Sequence, residues 1–397
     1  PENNWFPHDQ PVVDTRDRSE VNTKPIRIVG DLHGNFDALY YLLKGAQDET
    51  SGKAYYEKVL AGEAGLVFVG DYFHRINYIV EKVLDPKNNY QMEDADIAGL
   101  ISFTILLSMK QIKPHHVQIL AGNHEKAIED NDPITKQISA LPDQSNIDLN
   151  HEMEQSLRVY QSTDQIPDEE GGQSYDYFKA IQDVVRHLPK KVIVGNRKGT
   201  SIAVIHSEAP ERDIATYPDQ DRLLSGRTFL KAGAESTELA EAREYRGQMI
   251  ERDKVDFVVS GHIKVEAFQD VPHAKKVLNA AAIVDNLQIT LDSTNAYPFP
   301  QVRLLNDQPI PEEAHTTALG YFGVLDIDPL LSSPKNLNAL KAPETNTRKD
   351  ASAFTTINLT DGFARPIKTD FEEKFKAYES TVRDTKPQIN VVSGRMR

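Results

Sequence analysis

Five short apolar runs, each ending directly on His, Asp or Asn, constrain this chain more than any other feature. IRIVGDLHG carries Asp31 and His33 just past a strand-like run, and LVFVGDYFHR does the same for Asp71, His74 and Arg75. VQILAGNHE leads into Asn123 and His124, SIAVIHSE into His206 and DFVVSGH into His262. Each run is strand-length, β-branched and nearly continuous, which suits strands buried on both faces. In layered α/β proteins, ligand sites collect beyond the carboxyl ends of strands. Residues far apart in sequence are therefore expected to meet at one place.

The rest of the pattern fits such a fold. Apolar runs at Ile26–Val29, Leu66–Val69, Val117–Leu120, Val192–Val194, Ile202–Ile205 and Val255–Val259 alternate with helical stretches at Phe36–Ala46 and Ala95–Ile112. That alternation predicts an α/β architecture. Residues 1–23 read as a polar arm and 24–327 as the main domain. The polar, acidic stretch 127–174 reads as an insertion with helix near His151–Tyr160. A second excursion at 208–254 is charged and helical over Ala232–Arg252. Strands are expected again at Lys276–Val284, Leu287–Asp292 and Leu319–Ile327. Apolar density then falls, and 328–397 reads as an extended tail or the start of another domain.

Composition narrows the chemistry. The 397 residues are 39% hydrophobic and 26% charged, a soluble globular balance. The formal charge of −15 argues against general nucleic-acid binding. It does not oppose a phosphorylated substrate, because bound divalent cations reverse the local field. With no cysteine there is no disulfide, thiolate nucleophile or sulfur-ligated metal. No apolar run is long enough for a transmembrane segment, and PENNWFPHDQ lacks the basic-then-apolar layout of a secretory leader. A cytoplasmic protein is the expectation.

The residues at the strand ends suit a dinuclear metal site. Carboxylate, neutral imidazole and amide oxygen match Mn, Fe or Zn. Asp31 and His33, two apart, can lean on one ion across a turn. Glycines precede Asp31, Asp71, Asn123 and His262, where they permit sharp turns and close backbone approach. Two metals about 3.5–4 Å apart clamp a phosphoryl group and activate water. A lone GDxHG reads more readily as a turn holding a buried histidine than as a metal site; the joint pattern on five strand ends decides for metal. Of the 12 histidines, His115 and His116 read as a solvated turn, and His151, His187, His273 and His315 lack a partner motif.

Taken together, GDLHG (30–34), GDYFHR (70–75), GNHE (122–125), His206 and the Gly-His at 261–262 resemble the calcineurin-like metallophosphoesterases. Their order resembles the phosphoprotein phosphatase branch, over roughly 24–330. That resemblance implies a β-sandwich flanked by helices with metals at the strand carboxyl ends. It implies that Asp31, His33 and Asp71 hold one ion and that Asp71, Asn123, His206 and His262 hold the second. The ions would be divalent, Mn²⁺ first, with Fe or Zn as options. Arg75 would bind phosphate oxygens, and His124 would protonate the leaving oxygen as general acid. A phosphorylated protein would be the substrate. Divergent bacterial members of this branch include secreted effectors, for which the place of action would be a host cell.

Three positions depart from that pattern. His74 stands where the branch has Asp, so His124 is expected to be harder to protonate. The expected consequence is a pH optimum shifted toward acid, or a different carboxylate recruited nearby. Ser207 and Glu208 replace two glycines after His206, and are expected to narrow or polarise the cleft floor. A second phosphate-binding arginine is expected between His206 and His262, with Arg222 and Arg227 as candidates and Arg227 preferred. Two other functions compete. One is a dinucleoside polyphosphate or other small-molecule phosphoesterase, with Tyr72 and Phe73 stacking on a base. The other is a binding module without catalysis.

Overall fold

In the computed structural model, the described residues are 11–34, 36, 39, 41–45, 52–74, 92–133, 135–137, 146–148, 150–151, 153–155, 157, 177–195, 199–212, 220–226, 237–263, 276–278, 281–291, 322–327, 337, 354–358 and 363–366. In chain order the strands are β1 (Val12–Asp14), β2 (Ile26–Val29), β3 (Gly65–Phe68), β4 (Val117–Ile119), β5 (Thr135–Gln137), β6 (Asn146–Asp148), β7 (Lys191–Gly195) and β8 (Ser201–Ile205). They continue with β9 (Phe257–Ser260), β10 (Lys276–Leu278), β11 (Ala281–Val284), β12 (Gln288–Leu291), β13 (Phe322–Ile327), β14 (Phe354–Asn358) and β15 (Phe363–Pro366).

Two mixed sheets face each other. One runs β1-β7-β8-β9-β12-β11-β10 and the other β15-β14-β13-β2-β3-β4, while β5 and β6 form a separate ribbon. The alternation along each strand explains the layering. Ile26, Ile28, Val67 and Val69 from one sheet join Val192, Val194, Ile202, Val204, Phe257 and Val259 from the other in a single buried cluster. The intervening residues point outward to helices. Val29, Leu66 and Phe68 pack with Leu106, Ile128 and Ile181. Ile193, Ala203, Ile205 and Val258 pack with Leu223 and Met249. Because both faces of each sheet are covered, the strands carry few polar residues.

The helices behind these faces include Met92–Ile112, Asn123–Asp130, Tyr177–Val185, Gln220–Ser225 and Thr237–Asp253. Asn123–Asp130 ends on Asn131 in the left-handed region (φ 56°), a conformation Asn tolerates at a helix terminus. No helix among the described residues is long and apolar enough to cross a membrane.

Several regions differ in detail from the sequence expectation. In the stretch read as an arm, Val12–Asp14 pairs in parallel with Lys191–Ile193 as an edge strand. The single run expected over Lys276–Val284 is two strands, β10 and β11, paired antiparallel with Leu278 opposite Ala281. Beyond Ile327, β14 pairs in parallel with β13, β15 follows antiparallel, and Leu337 is buried in the inter-sheet core. His116 is 8% exposed, with its Nδ1 3.0 Å from the Ala64 carbonyl, so it is a core residue rather than part of a solvated turn.

β2, β3 and β4 run parallel to one another, and so do β8 and β9. The carboxyl ends of the strands that carry the motifs therefore lie together on one edge of each sheet. The two edges are tied where the His262 amide donates to Asp31 Oδ2 at 2.9 Å.

Candidate metal centre

Three of the motifs turn sharply as they leave their strands. His33, Asp71, His74 and His262 all adopt positive φ, at 45°, 54°, 65° and 66°. Non-glycine residues seldom occupy this region, and where they do the strain tends to cluster at functional sites. The turns are held by backbone bonds. His33 N donates to the Asp71 carbonyl at 2.7 Å and Gly34 N to the Tyr72 carbonyl at 2.7 Å. Glu125, 1% exposed, accepts from Asp71 N at 2.7 Å, Tyr72 N at 2.8 Å and Gly122 N at 2.8 Å. One carboxylate thus locks the turn after β3 to the turn after β4. Its burial and the nearby Asp71 charge push Glu125 up to about 7, against those hydrogen bonds.

The side chains converge on Asp71. Its Oδ2 lies 3.6 Å from His33 Nε2, 3.9 Å from His124 Nε2 and 3.3 Å from His206 Nε2. Among the described residues, two groups have donor atoms within 4.8 Å of one another: His33, Asp71 and His124, and Asp71, His206 and His262. Asp71 is common to both. Asn123 Oδ1 joins the second group from the amino end of its helix, 3.1 Å from His206 Nε2. Asp31 lies beside both groups, 3.9 Å from His33 Nε2 and 3.8 Å from His206 Nδ1.

The imidazoles are oriented from behind. His33 Nδ1 lies 3.2 Å from the Phe73 carbonyl and His206 Nδ1 lies 3.0 Å from the Val69 carbonyl. A carbonyl only accepts, so each Nδ1 carries a proton, and Nε2 is the nitrogen turned to the centre, where a bound ion would take its lone pair.

Charge is concentrated where water cannot screen it. Asp31 is fully buried, and burial with the neighbouring Asp71 pushes its carboxyl well above the ordinary range despite His206. Burial also opposes ionisation of Asp71, but His206, His124 and His33 outweigh it and hold that carboxyl well below its ordinary value. Burial resists a charge on His206, yet Asp71 and Asp31 push it up to about 9. In this protein His206 supplies cationic charge that the two carboxylates need. Divalent ions would supply it more fully, and an imidazole, carboxylate and amide donor set fits them.

All six residues expected to hold metal meet here, as do His124 and His74. His74 Nδ1 lies 2.9 Å from His124 Nδ1, with ring centroids 5.1 Å apart. Burial, then His33, push His74 down to about 3, so it is a neutral imidazole. Among the described residues the group on His124 Nδ1 is therefore another histidine. Ser207 is fully buried; its hydroxyl donates to the Gly226 carbonyl at 2.5 Å and its amide to the Leu223 carbonyl at 2.8 Å. It fastens the His206 turn to the helix Gln220–Ser225. Arg75 and Arg227 lie outside the described residues, and so does the side chain of Arg222. Tyr72 and Phe73, expected as possible stacking platforms, are core residues. They are 0% and 1% exposed and pack on Phe103 at centroid distances of 5.2 and 5.1 Å.

The family model described as calcineurin-like phosphoesterase matches residues 24–266. No curated protein sequence matches the chain. Among solved structures, a protein serine/threonine phosphatase from Saccharomyces cerevisiae, described as similar to human phosphatase PP5, matches at 12% identity and a TM-score of 0.40. The match covers 75% of this chain and 76% of that one.

Proposed function

The chain belongs to the calcineurin-like phosphoesterase family, and on that premise we propose that it is a metal-dependent protein phosphatase of the phosphoprotein phosphatase branch. The substrate is phosphoserine, phosphothreonine or phosphotyrosine in a protein. The observation that carries this reading is the sharing of Asp71 by two histidine-containing donor groups, with GDLHG, GDYFHR and GNHE in order along the chain.

In this proposal Asp31, His33 and Asp71 hold one divalent ion, and Asp71, Asn123, His206 and His262 hold the other, with Mn²⁺ the first candidate. When bound, the two ions supply charge neutralisation at the phosphoryl oxygens and activation of water. The chain's own residues do the rest. Asp71 keeps the two ligand groups in register. The Val69 and Phe73 carbonyls fix the tautomers of His206 and His33. His124, at the edge of the cluster, holds a proton for the leaving oxygen. Arg75 and Arg227 orient the phosphate.

Burial of Tyr72 and Phe73 favours a protein substrate over a dinucleotide, because no base can stack on rings closed into the core. The test is hydrolysis of p-nitrophenyl phosphate, a phosphopeptide panel and dinucleoside polyphosphates, with and without Mn²⁺. Metal-dependent turnover of phosphopeptides is the expected result. Loss of all activity with every divalent metal across acid and alkaline pH would overturn it. Because His124 also falls within one donor group, metal content of His124→Ala decides its role. A general acid leaves both ions in place, whereas a ligand loses one.

A further inference from the structure

We propose that Gln288 is a positioning residue for the second metal site, its buried amide bracing the strand end that delivers His206 against the strand end that delivers His262. This rests on the two-metal reading above. His206 and His262 follow β8 and β9, which lie side by side and run parallel. Their rings stand with centroids 5.0 Å apart at 64°, and both belong to the donor group that includes Asp71. The Gly261 amide, donating to the His206 carbonyl at 2.9 Å, links the two turns directly. Ends of a strand ladder open most readily, yet two ligands of one ion must keep a fixed spacing.

Gln288 braces that bond from both sides. It opens β12, the next strand beyond β9, and stands opposite Val258. Alternation puts Gln288 and Thr290 on one face of the sheet, while Ile289 between them enters the inter-sheet core. Ser207, Ser260, Gln288 and Thr290 are all fully buried. Gln288 Nε2 donates to Ser260 Oγ at 2.7 Å and reaches past β9 to the Ser207 carbonyl at 3.4 Å. Thr290 Oγ1 lies 3.2 Å from that nitrogen and 3.1 Å from Ser260 Oγ, so the serine hydroxyl is held from two sides. A carbonyl only accepts, so the nitrogen of the amide, not its oxygen, is turned to this group. Ser207 follows His206 and Ser260 precedes Gly261, so the amide spans the Gly261–His206 bond. The turn after β9 is then gripped at three successive residues: Ser260 by Gln288, the Gly261 amide by the His206 carbonyl, and the His262 amide by Asp31. Asp31 comes from the other sheet and Gln288 from the same one. Burying an amide is costly unless it is hydrogen-bonded, and a hydrocarbon would fill the layer as well. What the amide adds is the tie between two ligand-bearing turns.

Metal titration and hydrogen exchange of the full chain test this. Methionine keeps the length and volume of Gln288 and lacks its donors. In Gln288→Met, one of two Mn²⁺ ions followed by titration calorimetry should bind roughly 10-fold more weakly, the low end of what loss of a ligand-orienting partner costs. The other should bind as in the parent. In chelator, the Gly261 amide should exchange about 5- to 10-fold faster, the scale of one lost hydrogen bond. The Leu120 amide, bonded to the Phe68 carbonyl in the other sheet, should exchange as before. Equal acceleration at Gly261 and Leu120 would mark a general loss of stability and overturn the proposal. Parent-like exchange at Gly261, or equal weakening of both ions, would overturn it too. If Gln288→Met does not fold, Ser260→Ala removes the same tie with one oxygen atom and should give the same pattern. The exchange measurement needs no metal. It decides the role of Gln288 even in a chain that binds no Mn²⁺, so failure here is distinct from failure of the two-metal reading.

Discussion

Gly122 sits so tightly beneath Asp71 that a β-carbon at 122 would overlap the Asp71 carboxylate. The same holds for Gly261, whose β-carbon would overlap the Asp31 carboxylate and come within 2.5 Å of Val69 Cγ2. The glycines before Asn123 and His262 thus serve neighbouring carboxylates as much as their own turns. Neither glycine adopts a positive φ, so the constraint is space rather than backbone freedom. Gly122→Ala and Gly261→Ala should each displace a ligand. Metal affinity should fall roughly 10- to 100-fold, the range seen when ligand-supporting residues are lost. Titration calorimetry with Mn²⁺ checks this, and wild-type affinity in both variants would show that the carboxylates can move aside.

The contact between His74 and His124 leads to a prediction about pH. A neutral imidazole accepts a proton from His124 but offers no negative charge to stabilise the imidazolium, whereas a carboxylate does. General-acid catalysis is lost as pH rises through the pKa of the acid. His74→Asp should therefore extend activity toward alkaline pH by roughly one unit or more, within the usual range for an adjacent opposite charge. The measurement is kcat against pH on a phosphoserine peptide. Superimposable profiles for parent and variant would show that His74 does not govern the proton on His124.

Much of the fold could be read from the chain because β2, β3, β4, β8 and β9 are short β-branched runs closed off by motif residues and β7 is a further run of that kind, and their observed ends fall close to the expected ones. That the six residues expected as ligands would lie close together was legible for the same reason, since each follows a strand and parallel strands share an edge. The pairing of His74 with His124, 50 positions apart, came from the family resemblance alone, because no spacing rule brings them together. The doubling back at β10 and β11 is hidden inside one apolar run. β14 and β15, reading FTTIN and FARP, lack the unbroken apolar character of the inner strands. Nor could residue types foretell that His33, Asp71, His74 and His262 take positive φ, because none of them requires it.

On the proposed reading, Asp31 sets stability against function. It is fully buried, beside a second carboxylate, and its ionised form is disfavoured on both counts. Asn is nearly isosteric, and its oxygen can still accept from the His262 amide. Asp31→Asn should raise the stability of the metal-free protein by about 0.5–2 kcal/mol, the scale of gain typical when a strained functional group is relieved. It should also abolish the thermal shift on adding Mn²⁺, and turnover with it. Denaturant unfolding with and without chelator measures both effects. A metal-free variant less stable than the parent would mean that the partial compensation of Asp31 by His206 outweighs the cost of burying its charge.

That compensation sets the last expectation, the response of the metal-free protein to pH. His206 rises from 6.5 to about 9 in the folded chain, because the attraction of Asp71 and Asp31 exceeds the penalty of its burial. A group that binds its proton more tightly when folded adds stability that is fully present below its unfolded pKa and lost as pH rises through its folded one. The metal-free protein should therefore weaken steadily between about pH 6.5 and 9. Above that range the two buried carboxylates face each other without a cation. Divalent ions replace the imidazolium charge and compete for the same nitrogen, so their binding should release a proton in this range and flatten the profile. Thermal midpoints at pH 6.5 and 9, in chelator and in Mn²⁺, make the comparison. His206→Gln should remove the slope in chelator by removing the titrating group. If the metal-free parent were equally stable at both pH values, the carboxylates would owe nothing to His206, and the charge balance drawn for this centre would have to be given up.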